Sequence, residues 1–65
     1  MDIELIRNKI KARGLKQRWI ASEIDVHPST LNRFLTGRTI MSGEAMIKLF
    51  QLLEIDPGLI KIKAS

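Results

Sequence analysis

The chain has 65 residues, 45% of them hydrophobic and none of them cysteine. That is one small domain with a single core, burying only about 60% of its unfolded surface; neither a disulfide nor a thiolate metal site can support it. Eleven Lys and Arg against seven Asp and Glu leave a formal charge of +4, which points away from cationic partners and towards a polyanion.

The charge is unevenly spread. From Leu5 to Ser22 there is no acid, yet Arg7, Lys9, Lys11, Arg13, Lys16 and Arg18 all fall there. A one-sided positive field suits nucleic acid, and a solvated basic face is the plainer alternative. A membrane-surface helix fits less well, because the segment is short and has neighbours to pack against. No apolar run approaches the roughly 18 residues of a membrane span, and the start, Met1 to Glu4, is not a signal peptide. A cytoplasmic protein is expected, nucleoid-associated if it binds DNA. No repeat, linker or low-complexity tract interrupts residues 1–65, so one domain is expected. With one Trp, two Phe and no Tyr, its core is aliphatic.

In chain order, Ile3, Ile6 and Ile10, with Leu5 beside them, have helical spacing and predict a helix over 2–13. Asp2 caps it, Glu4 favours its first turn, Arg13 closes its last turn and Gly14 follows as a C-cap. Leu15 is an apolar plug. A second helix starts at Lys16 or Gln17 and aligns Ile20, Ala21 and Ile24; the small Ala21 suits a close helix crossing. Trp19 lies off that stripe and could cover a neighbouring helix, a dimer contact or a phosphate. Asp25, Val26 and His27 make the turn, with a positive φ expected there and Asp tolerating it best. Val26 anchors the turn to the core.

Pro28 suits the first position of a third helix, which makes His27 its N-cap, a weaker choice than Ser or Thr. Leu31 and Phe34 form the buried side, and Gly37 ends the helix. Residues 38–41 read as a loop. Ser42 caps a fourth helix, Glu44 favours its first turn, and Met46, Leu49, Phe50 and Leu53 form its stripe, widened by Ala45 and Leu52. These Met and Phe residues are core filling. Asp56 and Pro57 suggest a short fifth helix, although residues 60–63 alternate with the period of a strand.

Asp25, His27 and Ser29 hold the residue types of a catalytic relay, but two residues apart at a turn and helix start all three cannot line up. One His and no Cys argue against a metal site. Gly37 and Gly43 bracket no phosphate loop. No enzyme and no cofactor are expected, and nothing marks a small-molecule effector site.

The two-helix unit over about 17–36 is the stronger signal. The major groove admits one helix, read through the exposed residues near that helix's N-terminus. Pro28, Ser29 and Arg33 fall on the outward face of the third helix, with Asn32 flanking, and these four are the candidate base contacts. Arg33 can donate two bonds to guanine, and Asn32 can pair with adenine. Gln17, at the start of the second helix, can hold a phosphate. Lys16, Arg18 and Arg38 add phosphate attraction, and His27, Thr30 and Thr36 are further phosphate candidates.

The run from Leu15 through Gln17, Ile20, Ala21, Ile24, Val26, Pro28, Leu31, Arg33 and Phe34 to Gly37 resembles the phage Cro and repressor-type helix-turn-helix family. The likeness extends to the first helix and to Leu49–Leu53. It implies an all-α, four- to five-helix, lambda-repressor-like bundle. It also implies operator binding as a two-fold homodimer and transcriptional control. By that likeness Gln17 anchors a phosphate while Pro28, Ser29 and Arg33 face bases. The operator is then double-stranded DNA and pseudo-palindromic. Three departures stand out. Asp25 replaces the usual turn glycine, His27 the usual Ser or Thr cap, and Pro28 a polar base reader. Pro28 can offer only shape or an apolar contact. Ile10 and Leu35 stand where many members pair a base with an acid, and packed apolar residues can replace such a pair; the two side chains are therefore expected to meet. The rival reading is a protein-interaction module on the same scaffold, using Trp19, Leu35, Leu59, Ile60 and Ile62. Leu59, Ile60 and Ile62 are also the candidate dimer contacts.

Overall fold

The computed structural model describes residues 3–55. These hold four helices: α1, Ile3–Ala12; α2, Gln17–Glu23; α3, Pro28–Leu35; and α4, Gly43–Leu53. The all-α bundle expected from the sequence is present. The Asp2 cap, the fifth helix at Asp56 and Pro57, and the contacts of Leu59, Ile60 and Ile62 lie outside the described residues.

Local chemistry marks the starts of α3 and α4. Ser42 accepts a hydrogen bond from the Ala45 N–H at 3.2 Å, opening α4. Pro28 fills the first position of α3, where its missing N–H has no intrahelical partner to lose. The ends share one device. Gly14, Asp25, Gly37 and Glu54 all have positive φ, at 64°, 60°, 77° and 55°. The residue after each donates its N–H to the carbonyl five positions back: Leu15 to Ile10, Val26 to Ala21, Arg38 to Arg33, and Ile55 to Phe50. This is the left-handed helix stop that satisfies otherwise orphaned carbonyls. Leu15 and Val26 are half-buried and Ile55 is buried, all against the core, so three of the four stops are also apolar anchors.

Glycine supplies two of these stops and Asp25 the turn, as expected; Glu54 was not legible, because a glutamate gives no sign of a left-handed backbone. Non-glycine residues held at this conformation are strained by roughly 1–2 kcal/mol, while a glycine loses roughly 0.4–1 kcal/mol more backbone entropy on folding. Asp25→Gly should therefore raise stability by about 0.5–1 kcal/mol. Thermal melts should show a midpoint several degrees higher; an unchanged or lower one would mean that the Asp25 side chain stabilises the turn.

The core is built from Ile6 and Ile10 of α1, Ile20 and Ala21 of α2, Leu31, Phe34 and Leu35 of α3, and Ala45, Met46, Leu49, Phe50 and Leu53 of α4. Ile24 closes it beneath the turn. Among the described residues no polar or charged side chain is buried, so burial of apolar surface is the main stabilising term. α2 and α3 form the central pair: they pack on each other, α3 also on α1 and α2 also on α4. Ala21 is fully buried, consistent with a close crossing at that position.

Ile10 and Leu35 are both buried and both wall the groove between α1 and α3, on the same side of the core. Two features exceed the sequence reading. Met41, placed in a loop, is buried and carries the 38–41 connection onto the core. Arg13 does more than close α1: its guanidinium donates to the Leu52 carbonyl at 3.2 Å, tying the end of α1 to the end of α4. One cation of the acid-free run is thus engaged within the fold.

Candidate nucleic-acid interface

α2 and α3 are joined by a four-residue connection in which Ile24 is buried and Val26 half-buried. The apolar sides of both helices are committed to the core. What remains outside is a contiguous polar surface from the start of α2 across α3.

At the start of α2, Lys16 has extended backbone, φ −87° and ψ 136°, and places no side-chain cap on the helix. Gln17 follows, exposed. Its Oε1 accepts a hydrogen bond from Asn32 Nδ2 at 3.3 Å, across fifteen residues of sequence. With the oxygen turned to Asn32, the Gln17 amide N–H donors are left for another acceptor. Asn32 keeps one Nδ2 hydrogen and its Oδ1, enough for paired bonds to a base.

The start of α3 differs. His27 is extended at φ −68° and ψ 139°, and its Nδ1 accepts the Ser29 N–H at 3.2 Å. Its carbonyl accepts the N–H groups of Thr30 and Leu31 at 2.9 and 3.2 Å. Because Pro28 has no N–H, the whole first turn is satisfied internally. Histidine serves as a side-chain cap here, although Ser or Thr is the commoner choice. The Ser29 hydroxyl also meets His27 Nδ1, at 2.7 Å. His27 and Ser29 therefore meet, but the expected failure of all three side chains to line up holds. Asp25 does not join them: its side chain makes no hydrogen bond to either, and its N–H goes to the Ser22 carbonyl. The pair is a helix cap, not a relay.

Arg33 lies one turn beyond Ser29 on the same exposed side of α3. Pro28, Asn32, Lys16, Arg18 and Arg38 are exposed as well, and Thr30 is half-buried at the edge. Thr36 is exposed, but its hydroxyl donates to the carbonyls of Asn32 and Arg33 at 3.0 and 3.1 Å. Its single proton is taken, so it must give up those bonds before donating to a phosphate. Trp19 is 45% exposed and contributes nothing to the buried core.

Beside Gln17 opens a groove of about 370 Å³ between α1 and α3. Arg7, Asn8 and Lys11 stand on its α1 side, over Ile10, Leu15 and Leu35. These three polar residues were not among the expected site residues. The acid-free run around them was the available signal, but it could not say which of its six cations turn towards Gln17.

Two short helices locked at a fixed angle by a shared core, the second presenting hydrogen-bonding groups outward, define a helix-turn-helix. The helix-turn-helix family model matches residues 6–60, most of the chain. The chain belongs to that family, of the Cro and repressor type, whose members are DNA-binding transcription regulators. No curated protein and no solved structure matches the chain. No helix among the described residues is long and apolar enough to cross a membrane.

Proposed function

We propose that this chain is a sequence-specific, repressor-like regulator of transcription that lays α3 in the major groove of double-stranded DNA. The observation that carries this is the pairing of Gln17 with Asn32 beside the exposed row of Ser29 and Arg33. It sets a phosphate-seeking amide next to base-reading groups on one rigid surface. Arg33 reads guanine through two bonds, and Asn32 and Ser29 read neighbouring bases. Pro28 offers an apolar contact. Lys16, Gln17, Arg18, His27, Thr30 and Arg38 meet phosphates, and Thr36 does so on releasing its helix carbonyls. The protein acts as a homodimer on a pseudo-palindromic operator, in the cytoplasm of a prokaryote or under a phage genome, without enzymatic activity or cofactor.

Selection from random duplex DNA at two salt concentrations tests this. A consensus with two-fold symmetry and half-sites about one helical turn apart is expected; a pool without consensus would refute sequence-specific binding. Lys16→Ala should weaken operator and random DNA alike and reduce the slope of log K against log salt by about one. An unchanged slope would remove Lys16 from the phosphate contacts.

A protein-interaction module is the second reading. Ile40 and Ile47 favour it, being 85% and 59% exposed, as does the exposed Trp19. If the selection returns no consensus, this reading replaces the first.

A further inference from the structure

Resting on the regulator reading above, we infer that Ser29 reads DNA as a hydrogen-bond acceptor only, because His27 takes its hydroxyl proton. Two contacts establish this together. The backbone N–H of Ser29 points at His27 Nδ1, 3.2 Å away. A backbone N–H can only donate, so Nδ1 is the acceptor there and carries no proton of its own. Ser29 Oγ lies 2.7 Å from that same Nδ1. Since Nδ1 has nothing to give, the hydroxyl must donate to it. The one Ser29 proton is therefore turned inward, and Oγ presents lone pairs alone to anything approaching the outer face of α3.

A free serine reads either partner, since it can donate or accept. This one discriminates. In the major groove the only donors are the exocyclic amines, adenine N6 and cytosine N4; N7, guanine O6 and thymine O4 are acceptors. Ser29 thus takes an amine and is repelled by an acceptor at the same place. The same bond settles the histidine tautomer. With Nδ1 bare, the neutral ring carries its proton on Nε2, the donor that a phosphate contact from His27 requires. The chain of bonds runs from base amine to Ser29 Oγ, then to His27 Nδ1, with Nε2–H available to a phosphate. It makes His27 a positioning residue for specificity as well as a helix cap.

The test uses the full chain and its selected operator. Comparing the consensus of wild type with that of Ser29→Ala locates the base pair whose preference relaxes. At that pair the exocyclic amine is deleted, with purine for adenine or 2-pyrimidinone for cytosine; in a second duplex, purine N7 is replaced by carbon. Removing the amine should weaken wild type about three- to tenfold, the range of one neutral hydrogen bond, and leave Ser29→Ala unchanged. The N7 replacement should leave wild type unchanged. In His27→Ala, with folding verified by circular dichroism, the released hydroxyl can donate as well as accept, so the preference for an amine over an acceptor at that position should relax although Ser29 is still present; a purely capping histidine would lower affinity without altering that preference. Sensitivity to N7 and not to the amine would overturn the inference, because the hydroxyl would then be donating. A consensus identical in wild type and Ser29→Ala would overturn it as well, while leaving the regulator reading intact. A wild-type pool without any consensus would refute that reading instead, and this one with it.

Discussion

Phe34→Ala should remove about 3–5 kcal/mol, a large part of the domain's stability. Phe34 is only 1% exposed and sits on α3, the helix that packs on both α1 and α2. Truncating a buried phenylalanine to alanine costs about 3–5 kcal/mol, the lost transfer free energy plus the cavity left behind. A chain of 65 residues has roughly 3–10 kcal/mol in total at 0.05–0.15 kcal/mol per residue. The loss is thus a large fraction of all the stability there is. No disulfide compensates, and no buried ion pair or polar network exists among the described residues to hold the fragments together. Urea titration followed by far-UV circular dichroism, with Trp19 as the single fluorescent reporter, measures the effect. A variant within 1 kcal/mol of wild type, on the ~1 kcal/mol scale typical of any point mutation, would mean that other core side chains collapse into the space and that α3 is less central than its packing indicates.

Arg33→Ala has the largest expected effect on binding. Arg33 stands exposed one turn after Ser29, on the side of α3 away from Leu31 and Phe34. Its planar guanidinium matches the O6 and N7 acceptors of guanine, and a good paired contact of this kind discriminates by about 1–3 kcal/mol. Operator affinity should fall by that amount and one base position should become permissive, with random-sequence DNA much less affected. Arg33→Lys should restore charge but not the paired geometry, and so recover little of the discrimination. Equal losses on operator and random DNA would reassign Arg33 to a phosphate. The contrast with Lys16→Ala is informative: each variant removes one positive charge from the candidate interface, and only one of them should alter sequence preference.

Much of this surface is legible before any folding is considered. Pro28, Gly14, Gly37 and Ser42 mark helix boundaries because a helix end is a local problem: a missing N–H, a left-handed residue or a hydroxyl solves it within a few positions. The spacings of Ile20, Ala21 and Ile24, and of Leu31 and Phe34, reveal buried faces for the same reason. Glu54 escapes this logic because its conformation follows from where Ile55 must go to reach the core, not from its own preference. Met41 escapes it too: one apolar residue in a loop has no period, and only the position of α4 decides that it is covered.

The candidate interface divides along the same line. The run of Gln17, Ile20, Ala21, Ile24, Val26, Leu31, Phe34 and Gly37 is enough to identify two helices, a turn and an outward face bearing Ser29, Asn32 and Arg33. Periodicity within a helix determines which side chains share a side, but it carries no angle between helices. The meeting of Gln17 with Asn32, the groove that sets Arg7 and Lys11 beside Gln17, and the diversion of Arg13 to the Leu52 carbonyl depend on that angle. So does the shared burial of Ile10 and Leu35, which a spacing argument could only anticipate from a family pattern. Composition and local chemistry by themselves determined the class of fold and the helix proposed to face DNA. Tertiary packing alone decided which polar groups on that helix are still free to bond, because a hydrogen bond made within the fold removes a donor that sequence alone would count as available.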